Sequence, residues 1–275
     1  MIKIKNPSYL VGLVTTAAMN MSHGIAVDTE LMLLVDVSGS VDEAEYSLMM
    51  DGYQQAFRNN SVIDSIRSGE RGQIAASVVF WSGANDQEIG VEWTLIDSEE
   101  SANNFADQLQ KTTRPFSGMT AIGSGIDFGT QLFGSETGGI DNGFASISQI
   151  IDVSGDGTDN NTPPVNTDRA ANVRASRDLA LDSGVDMING LPIGNAGGAL
   201  EQYYANNVIG GSAGGVDAFT QAAVDFADIE NALVRKLERE VSAGAVESIS
   251  AAIPEVNSAI LICGGLGLLS FRRVR

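Results

Sequence analysis

The amino-acid sequence predicts an α/β protein with a doubly wound, mostly parallel central sheet and helices on both faces. Short apolar runs of strand length alternate along the chain with longer segments of helical periodicity, which is the pattern of strand–helix–strand units. Several of the apolar runs are continuous, as in strands that are buried on both faces. With 275 residues, 43% of them hydrophobic, the chain can bury one large core. We find no internal repeat and no second domain.

The first half of the core starts with a strand and a helix. Residues 31–35 form a continuous apolar run of strand length, and residues 42–59 follow with helical spacing and acidic side chains in the first turn. A second buried strand is predicted over 73–81. Residues 89–95 alternate in polarity, so we expect a third strand with one more exposed face. Residues 98–111 then have the periodicity of a helix.

The second half continues this alternation. The first helix of this half is rich in glycine, so we expect it to pack tightly, and the last one is clearly amphipathic. The predicted strand nearest the C-terminus is assigned to the edge of the sheet. The predicted helices span 120–133, 167–183, 198–206 and 225–241, and the predicted strands span 145–153, 185–193 and 215–222.

The N-terminal residues 1–26 have the features of a secretory signal peptide. Lys3 and Lys5 form a short basic region, residues 10–21 are mildly apolar, and small residues precede a cleavage point that we place after Ala26. The alternative is a buried first helix. A signal peptide predicts that the protein is exported.

The C-terminal residues 254–275 have a three-part layout that is typical of a bacterial sorting signal. A Pro-Glu pair precedes an apolar stretch over 259–271 and a basic end, and the stretch is short for a membrane span, which needs about 20 residues. The layout resembles the PEP-CTERM class, although Pro254-Glu255-Val256 departs from the usual Pro-Glu-Pro. The resemblance implies an exosortase-type processing enzyme as a partner at the inner membrane of a Gram-negative cell. It also implies a final location in the periplasm, on the outer surface or in the extracellular matrix, with membrane contact only through this segment. A plain C-terminal membrane anchor is the alternative.

The composition between these two ends excludes several kinds of chemistry. Residues 27–253 hold 11 of the 16 basic and 34 of the 35 acidic residues, a net charge of −23, which disfavours nucleic acid as a partner. The single histidine, His23, and the single cysteine, Cys263, both lie outside this range. Disulfides, thiol nucleophiles, Ser-His-Asp triads and His/Cys zinc sites are therefore excluded from the core. A metal ion there would have oxygen ligands, which favours Mg²⁺, Ca²⁺ or Mn²⁺.

One motif carries the functional prediction. Asp36, Ser38 and Ser40 stand at alternate positions directly after the first strand, with a glycine between the two serines. In a tight loop, such side chains can converge on one point and form a cation site. Ligands of doubly wound sheets bind beyond the carboxyl ends of the strands. The alternative is a glycine–serine loop that only caps the next helix.

Two later loops can meet this motif at the same edge of the sheet. Thr120 lies at the start of a predicted helix, and Asp156 lies in an acidic, glycine-rich loop after the strand over 145–153. The order of these residues resembles the metal-ion-dependent adhesion site (MIDAS) of von Willebrand factor type A (VWA) domains. The stretches VDVSGSVD, PFSGMTAIG, IDVSGDGTDN and YYANNVIGG resemble an uncharacterised bacterial branch of that family. We assign residues 27–242 to a VWA-like domain and 243–253 to a linker.

The resemblance implies a specific set of metal ligands. Ser38, Ser40 and Thr120 would supply hydroxyl groups, and Asp36 and Asp156 would coordinate directly or through water. The expected ion is Mg²⁺, with Ca²⁺ or Mn²⁺ as alternatives. Because only two ligands are charged, the ion would keep its attraction for an acidic side chain of a partner.

Three further acids lie near these motifs. Asp152 falls within the apolar part of its strand, so we expect a structural, hydrogen-bonded role for it. Asp159 either supports the site from outside or belongs to a turn. Asp42 is expected to cap the helix that follows the first motif.

The sequence thus predicts an exported module that binds a protein or an extracellular polymer through a divalent cation. Two alternatives stay open. One is a metal-assisted hydrolase that uses the same oxygen ligands, although no candidate general base stands beside the motif. The other is a surface or matrix protein with a purely structural role and no metal. We expect the protein not to be an enzyme.

Overall fold

A seven-stranded sheet forms the centre of the protein in a computed structural model that describes residues 24–164, 167–194 and 196–243. The strand order is β3-β2-β1-β4-β5-β6-β7. Strands β1, β2, β4 and β5 are parallel to one another, whereas β3, β6 and β7 join in antiparallel pairings. The strands are β1 (Ile25–Asp36), β2 (Ile74–Trp81), β3 (Gln87–Ile96), β4 (Phe144–Gly155), β5 (Met187–Pro192), β6 (Gly210–Ala213) and β7 (Val216–Asp217).

Helices cover both faces of this sheet, which confirms the predicted fold class. Helices α1, α2, α3 and α7 pack around one hydrophobic cluster, and α4, α5 and α6 pack around the other. The helices are α1 (Glu43–Arg58), α2 (Asn60–Arg67), α3 (Glu99–Leu109), α4 (Ile122–Thr130), α5 (Arg169–Asp182), α6 (Ala199–Asn207) and α7 (Ile229–Ala243).

Strand β1 shows why the apolar runs of the sequence are continuous. Leu31 and Leu33 pack into the cluster of α1 and α7, whereas Met32 and Leu34 pack into the cluster of α4 and α5. Successive side chains of a strand point to opposite faces, so a strand between two helical layers needs apolar residues at every position.

The strand order reverses beside β1 and creates the crevice in which such folds bind ligands. From β1 the chain passes to β2 on one side, and β4 later adds to the other side of β1 in parallel register. The loops that leave the carboxyl ends of β1 and β4 therefore diverge onto opposite faces of the sheet. Asp36, Ser38, Ser40 and Asp156 lie at these two strand ends, whereas Thr120 lies in the loop before α4.

Two elements differ from the prediction in the first half of the chain. Asn59 has an extended conformation that ends α1, and its side chain accepts the N–H of Ser61 at 2.9 Å and so caps α2, which was not predicted. The helix predicted over 120–133 begins only at Ile122, because Thr120 still belongs to the preceding loop.

The edge strand predicted over 215–222 is confirmed in its place at the edge of the sheet but not in its length, because β7 covers only Val216–Asp217. The structure has a short hairpin of β6 and β7, and Thr220 forms only an isolated bridge with Gly190. Gly214 and Gly215 both have positive φ, which allows the tight turn that the hairpin requires. The helix predicted over 225–241 begins as a 3₁₀ turn and continues as α7.

The predicted sorting signal, and the linker beyond residue 243, lie outside the described residues. So does the predicted signal peptide up to residue 23, whereas Ile25 and Ala26 already pair with β4. Within the described ranges, no helix is both long enough and apolar enough to cross a membrane.

Candidate metal centre

The loop after β1 turns sharply because the Asp36 side chain accepts a hydrogen bond from the backbone of the same loop. Its Oδ1 accepts the N–H of Ser38 at 2.7 Å, which is the hydrogen bond of an Asx turn. Val37 is buried in the core and anchors the loop by donating its N–H to the carbonyl of Trp81 at 2.9 Å. The turn leaves Ser38 buried and Ser40 exposed.

All five predicted ligands lie together at the carboxyl ends of β1 and β4. Ser38 Oγ is 3.2 Å from Ser40 Oγ, and Ser40 Oγ donates to Asp156 Oδ1 at 2.6 Å. Thr120 Oγ1 donates to Ser38 Oγ at 3.4 Å. Asp36 lies directly below, against the backbone that leads into Asp156. Residues far apart in the sequence thus form one connected cluster of side-chain oxygens.

The loop that carries Thr120 is fixed to its neighbours through the backbone. Gly39 donates its N–H to the carbonyl of Gly118 at 2.8 Å, so the loop after β1 is in contact with the loop that carries Thr120. Asn160 Oδ1 accepts the N–H of Thr120 at 2.9 Å, and the N–H groups of Asn160 and Asn161 donate to the Thr120 carbonyl at 2.8 Å and 3.0 Å. The Thr120 hydroxyl therefore has a defined position.

Arg114 was not predicted to take part in the site. Its guanidinium donates to the carbonyls of Val37 at 3.0 Å and Ser38 at 2.7 Å, and it forms an ion pair with Glu43 at 3.4 Å. Nη2 donates to both carbonyls, Nε also donates to the Val37 carbonyl at 3.3 Å, and Nη1 faces Glu43, so the planar guanidinium contacts all three groups at once. No local sequence signal links Arg114 to a loop so far away in the chain.

Asp159 and Asp42 each accept backbone N–H groups at the start of a helix beside the site. Asp159 Oδ2 accepts the N–H of Ile122 at 2.7 Å, which gives α4 a cap that its own preceding residue does not supply. Asp42 caps α1 as expected, in a capping box with Glu45. Both acids therefore have structural roles in the loops around the cluster.

Asp152 lies below the site in the core, with a buried partner that sequence reasoning did not identify. Lys236 Nζ of α7 lies 2.7 Å from Asp152 Oδ1 and also contacts Glu240, which accepts a hydrogen bond from Asn189 at 2.8 Å. All three charged side chains are fully buried. The only sequence signal was the four-residue spacing of Lys236 and Glu240 on one helix.

The electrostatics of the cluster favour a cation. Burial raises the pKa of Asp36 to about 7; the Ser38 amide and hydroxyl and the nearby Asp156 amide oppose this shift, and the charge of Asp156 adds to it. Asp36 Oδ2 is buried without a hydrogen-bond partner among the described residues. A divalent cation would compensate for both features, and the donor set of two carboxylates and three hydroxyls fits a hard ion. In the described ranges, no group of three or more His, Cys, Asp or Glu side chains is placed to hold a metal.

The cluster opens to solvent through a shallow pocket of about 450 Å³. Ser40 and Asp156 line it together with backbone of Gly39 and Gly157, and the exposed side chain of Met119 forms part of its rim. A ligand of the ion would therefore approach from outside without displacing a core residue.

The chain matches a family model described as protein of unknown function (DUF1194) over residues 26–245. No curated protein matches it. Among solved structures, the chain is similar to proximal thread matrix protein 1 from the mussel byssus, in a structure with a zinc-occupied MIDAS motif. The identity is 15% and the TM-score 0.54, over 80% of this chain and 49% of the mussel protein.

Two bacterial surface structures are similar to the same degree. The pilus adhesin SpaC from Lactobacillus rhamnosus GG gives a TM-score of 0.53 at 13% identity, over 80% of this chain and 31% of the adhesin. The PilB minor pilin from Streptococcus sanguinis gives 0.53 at 10% identity, over 83% of this chain and 63% of the pilin. The chain thus spans only part of each protein, and at these identities the similarity establishes a shared VWA-type fold.

Proposed function

Because the chain belongs to the DUF1194 family of proteins of unknown function and has the VWA-type fold, we propose its function from the site itself. It is an exported binding module that holds a divalent cation and uses the ion to engage a protein or polymer ligand. The observation that carries this proposal is the convergence of Asp36, Ser38, Ser40, Thr120 and Asp156 from three separate loops at the point where the strand order reverses.

The donor set explains why such an ion would bind a partner. Two carboxylates balance the charge of a divalent cation without exceeding it, and the three hydroxyls are neutral. Hard oxygen ligands favour Mg²⁺, with Ca²⁺ or Mn²⁺ as alternatives. Because the pocket is open, a carboxylate of the partner can complete the coordination sphere.

The charge of the chain narrows the kind of partner. The net charge is −19, so a uniformly acidic polymer would be repelled at long range. We propose a partner that presents a single acidic side chain within a neutral or basic surface. The ion then supplies the local attraction, and the remaining surface supplies favourable long-range electrostatics.

Similar proteins support this role. The mussel byssus protein carries zinc at its MIDAS motif, and another neighbour is a pilus adhesin. For this chain we propose export from a Gram-negative-type cell and processing by an exosortase-type enzyme. We assign no catalytic step to the site; turnover of an ester or phosphoester that depends on Asp156 would contradict a binding role.

The test is a thermal melt and a calorimetric titration with Mg²⁺, Ca²⁺ or Mn²⁺ after treatment with a chelator. An ion that binds only the folded state stabilises it by about 2.7 kcal/mol at a hundredfold excess over Kd. The double substitution Ser38→Ala with Ser40→Ala should abolish this gain and leave the sheet folded. The matched control is Ser61→Ala with Ser68→Ala, two exposed serines around α2, which should keep the full gain. Equal gains in both variants would show that the ion binds elsewhere.

A further inference from the structure

Two buried oxygens beneath the candidate metal centre have no hydrogen-bond partner in the described part of the chain. One is Asp36 Oδ2 and the other is the hydroxyl of Tyr204 on α6. Both side chains are fully buried. Buried polar atoms are nearly always hydrogen-bonded, and leaving one unpaired costs stability. Such a pair at a candidate site therefore requires an explanation.

The two oxygens lie on the same side of Gly155, next to its Cα. A methyl group added to Gly155 would lie 2.6 Å from the Tyr204 hydroxyl and 2.7 Å from Asp36 Oδ2. They are thus no farther apart than two hydrogen-bond lengths, close enough for one water to bridge them. Gly190 leaves space for the aromatic ring of Tyr204, since a methyl group at Gly190 would lie 2.8 Å from Tyr204 Cδ1. Glycines on both β4 and β5 therefore make room for this tyrosine.

The chemistry of the pair is complementary. Burial raises the pKa of Tyr204 well above its ordinary value, and the charges of Asp36 and Asp156 raise it further. The hydroxyl is therefore protonated and can donate a hydrogen bond, which a carboxylate oxygen accepts.

We propose that Tyr204 is a positioning residue for the metal centre. Its hydroxyl donates to Asp36 Oδ2, directly or through one water, when the ion is bound. Asp36 Oδ1 is already fixed by the N–H of Ser38, so a donor on Oδ2 would fix the plane of the carboxylate. This inference rests on the proposed function, because it assigns Tyr204 a role only toward a bound ion.

The expected loss of metal affinity can be estimated from other residues that hydrogen-bond to a metal ligand without touching the ion. Groups that orient a metal ligand from outside the coordination sphere usually contribute about 10- to 100-fold to metal affinity. The substitution Tyr204→Phe removes the hydroxyl and keeps the ring between Gly155 and Gly190. It should leave the metal-free melting temperature near that of the unsubstituted protein, because the hydroxyl has no partner there.

Tyr203 provides a matched control. It precedes Tyr204 on α6, its hydroxyl also has no partner among the described residues, and its ring lies against that of Tyr204 with centroids 6.4 Å apart. Burial raises the pKa of Tyr203 to about 12, and the charged residues that act on it are Asp159, Arg174 and Asp168, whereas Asp36 and Asp156 act on Tyr204. Tyr203→Phe makes the same chemical change one residue away from the proposed contact.

The experiment is a calorimetric titration of the full chain and both variants with Mn²⁺ and Mg²⁺, with a melt of each metal-free protein. We expect Tyr204→Phe to weaken the ion by about 10- to 100-fold and Tyr203→Phe to leave its affinity unchanged. Unchanged affinity in Tyr204→Phe, or a lower metal-free melting temperature with unchanged affinity, would overturn the positioning role alone. No ion binding by the unsubstituted chain would overturn the proposed function as well.

Discussion

Replacing Lys236 by methionine should destabilise the fold strongly, because this lysine is the cation of a buried cluster with two carboxylates. Its Nζ lies 2.7 Å from Asp152 Oδ1 and also contacts Glu240, and none of the three side chains is exposed to solvent. Methionine keeps most of the volume of the side chain and removes the charge. The variant therefore leaves two acids close together in the core without a counter-charge.

The expected loss is about 3 to 5 kcal/mol at pH 8, which is typical when one partner of a buried ion pair is removed. A domain of this kind has a total free energy of unfolding of about 5 to 15 kcal/mol, so the variant would be close to unfolding. Burial raises the pKa of both Asp152 and Glu240, and Lys236 opposes that shift. Without the lysine, protonation of the acids should relieve part of the penalty, so the loss should be smaller at pH 5 than at pH 8.

The assay is urea unfolding followed by circular dichroism at pH 5 and pH 8. Lys111→Met is the control, because this lysine is exposed just after α3, and its change should stay within about 0.5 kcal/mol. The double variant Lys236→Met with Glu240→Gln should recover part of the loss at pH 8. The account of the buried cluster is refuted if Lys236→Met behaves like Lys111→Met, or if its loss is larger at pH 5.

Three further predictions concern other parts of the fold. Burial raises the pKa of Glu240 to about 7. Its contribution to the free energy of unfolding should therefore be present below its ordinary pKa and be lost as the pH rises through about 7. Glu240→Gln should flatten this pH dependence in urea unfolding from pH 4 to 8. Gly52→Ala should lower the melting temperature by an amount equivalent to about 1 to 3 kcal/mol, because a methyl group there would lie 2.6 Å from Ile229 Cγ2 of α7. Arg114→Lys should weaken ion binding in a calorimetric titration, because the single ammonium of a lysine cannot replace the Nε and Nη2 donors to the loop carbonyls and the Nη1 contact with Glu43 at the same time.

A different result would contradict each of these three predictions. Stability that rises between pH 5 and 8 and keeps rising in Glu240→Gln would assign the dependence to other groups. A higher melting temperature in Gly52→Ala would mean that helix propensity outweighs the α1–α7 contact. For Arg114→Lys, the comparison is Glu43→Gln, which removes only the exposed partner of the arginine. Equal ion affinity in both variants would exclude a role for the arginine fork.

Much of the fold could be predicted because β1, β2 and β4 are buried on both faces. In β1 and β2 this burial imposes long apolar runs that are visible without any partner, whereas the buried part of β4 also contains Ser148, Gln149 and Asp152. The position of the candidate site could be predicted from the sequence for a related reason. Polar residues that end such a run must lie at the carboxyl end of the strand, where Asp36 and Asp156 indeed approach each other.

The parts that sequence reasoning missed depend on contacts between distant segments. Lys236 lies in an amphipathic helix, where a lysine normally indicates the solvent face, yet it is buried because Asp152 of β4 provides a partner. Asp159 caps α4 from another loop, so no local capping pattern reveals it. The α1–α2 boundary was missed because a single asparagine both ends one helix and starts the next.

The most direct test of the central claim is a crystal structure of the protein grown with Mn²⁺ and measured for anomalous scattering. We predict an anomalous peak within coordination distance of the hydroxyls of Ser38, Ser40 and Thr120 and beside the carboxylate of Asp156. The same crystals should show Asp36 Oδ2 hydrogen-bonded toward Tyr204. A peak only at other acidic residues, or no peak at saturating Mn²⁺, would contradict a cation-dependent binding site at this end of the sheet.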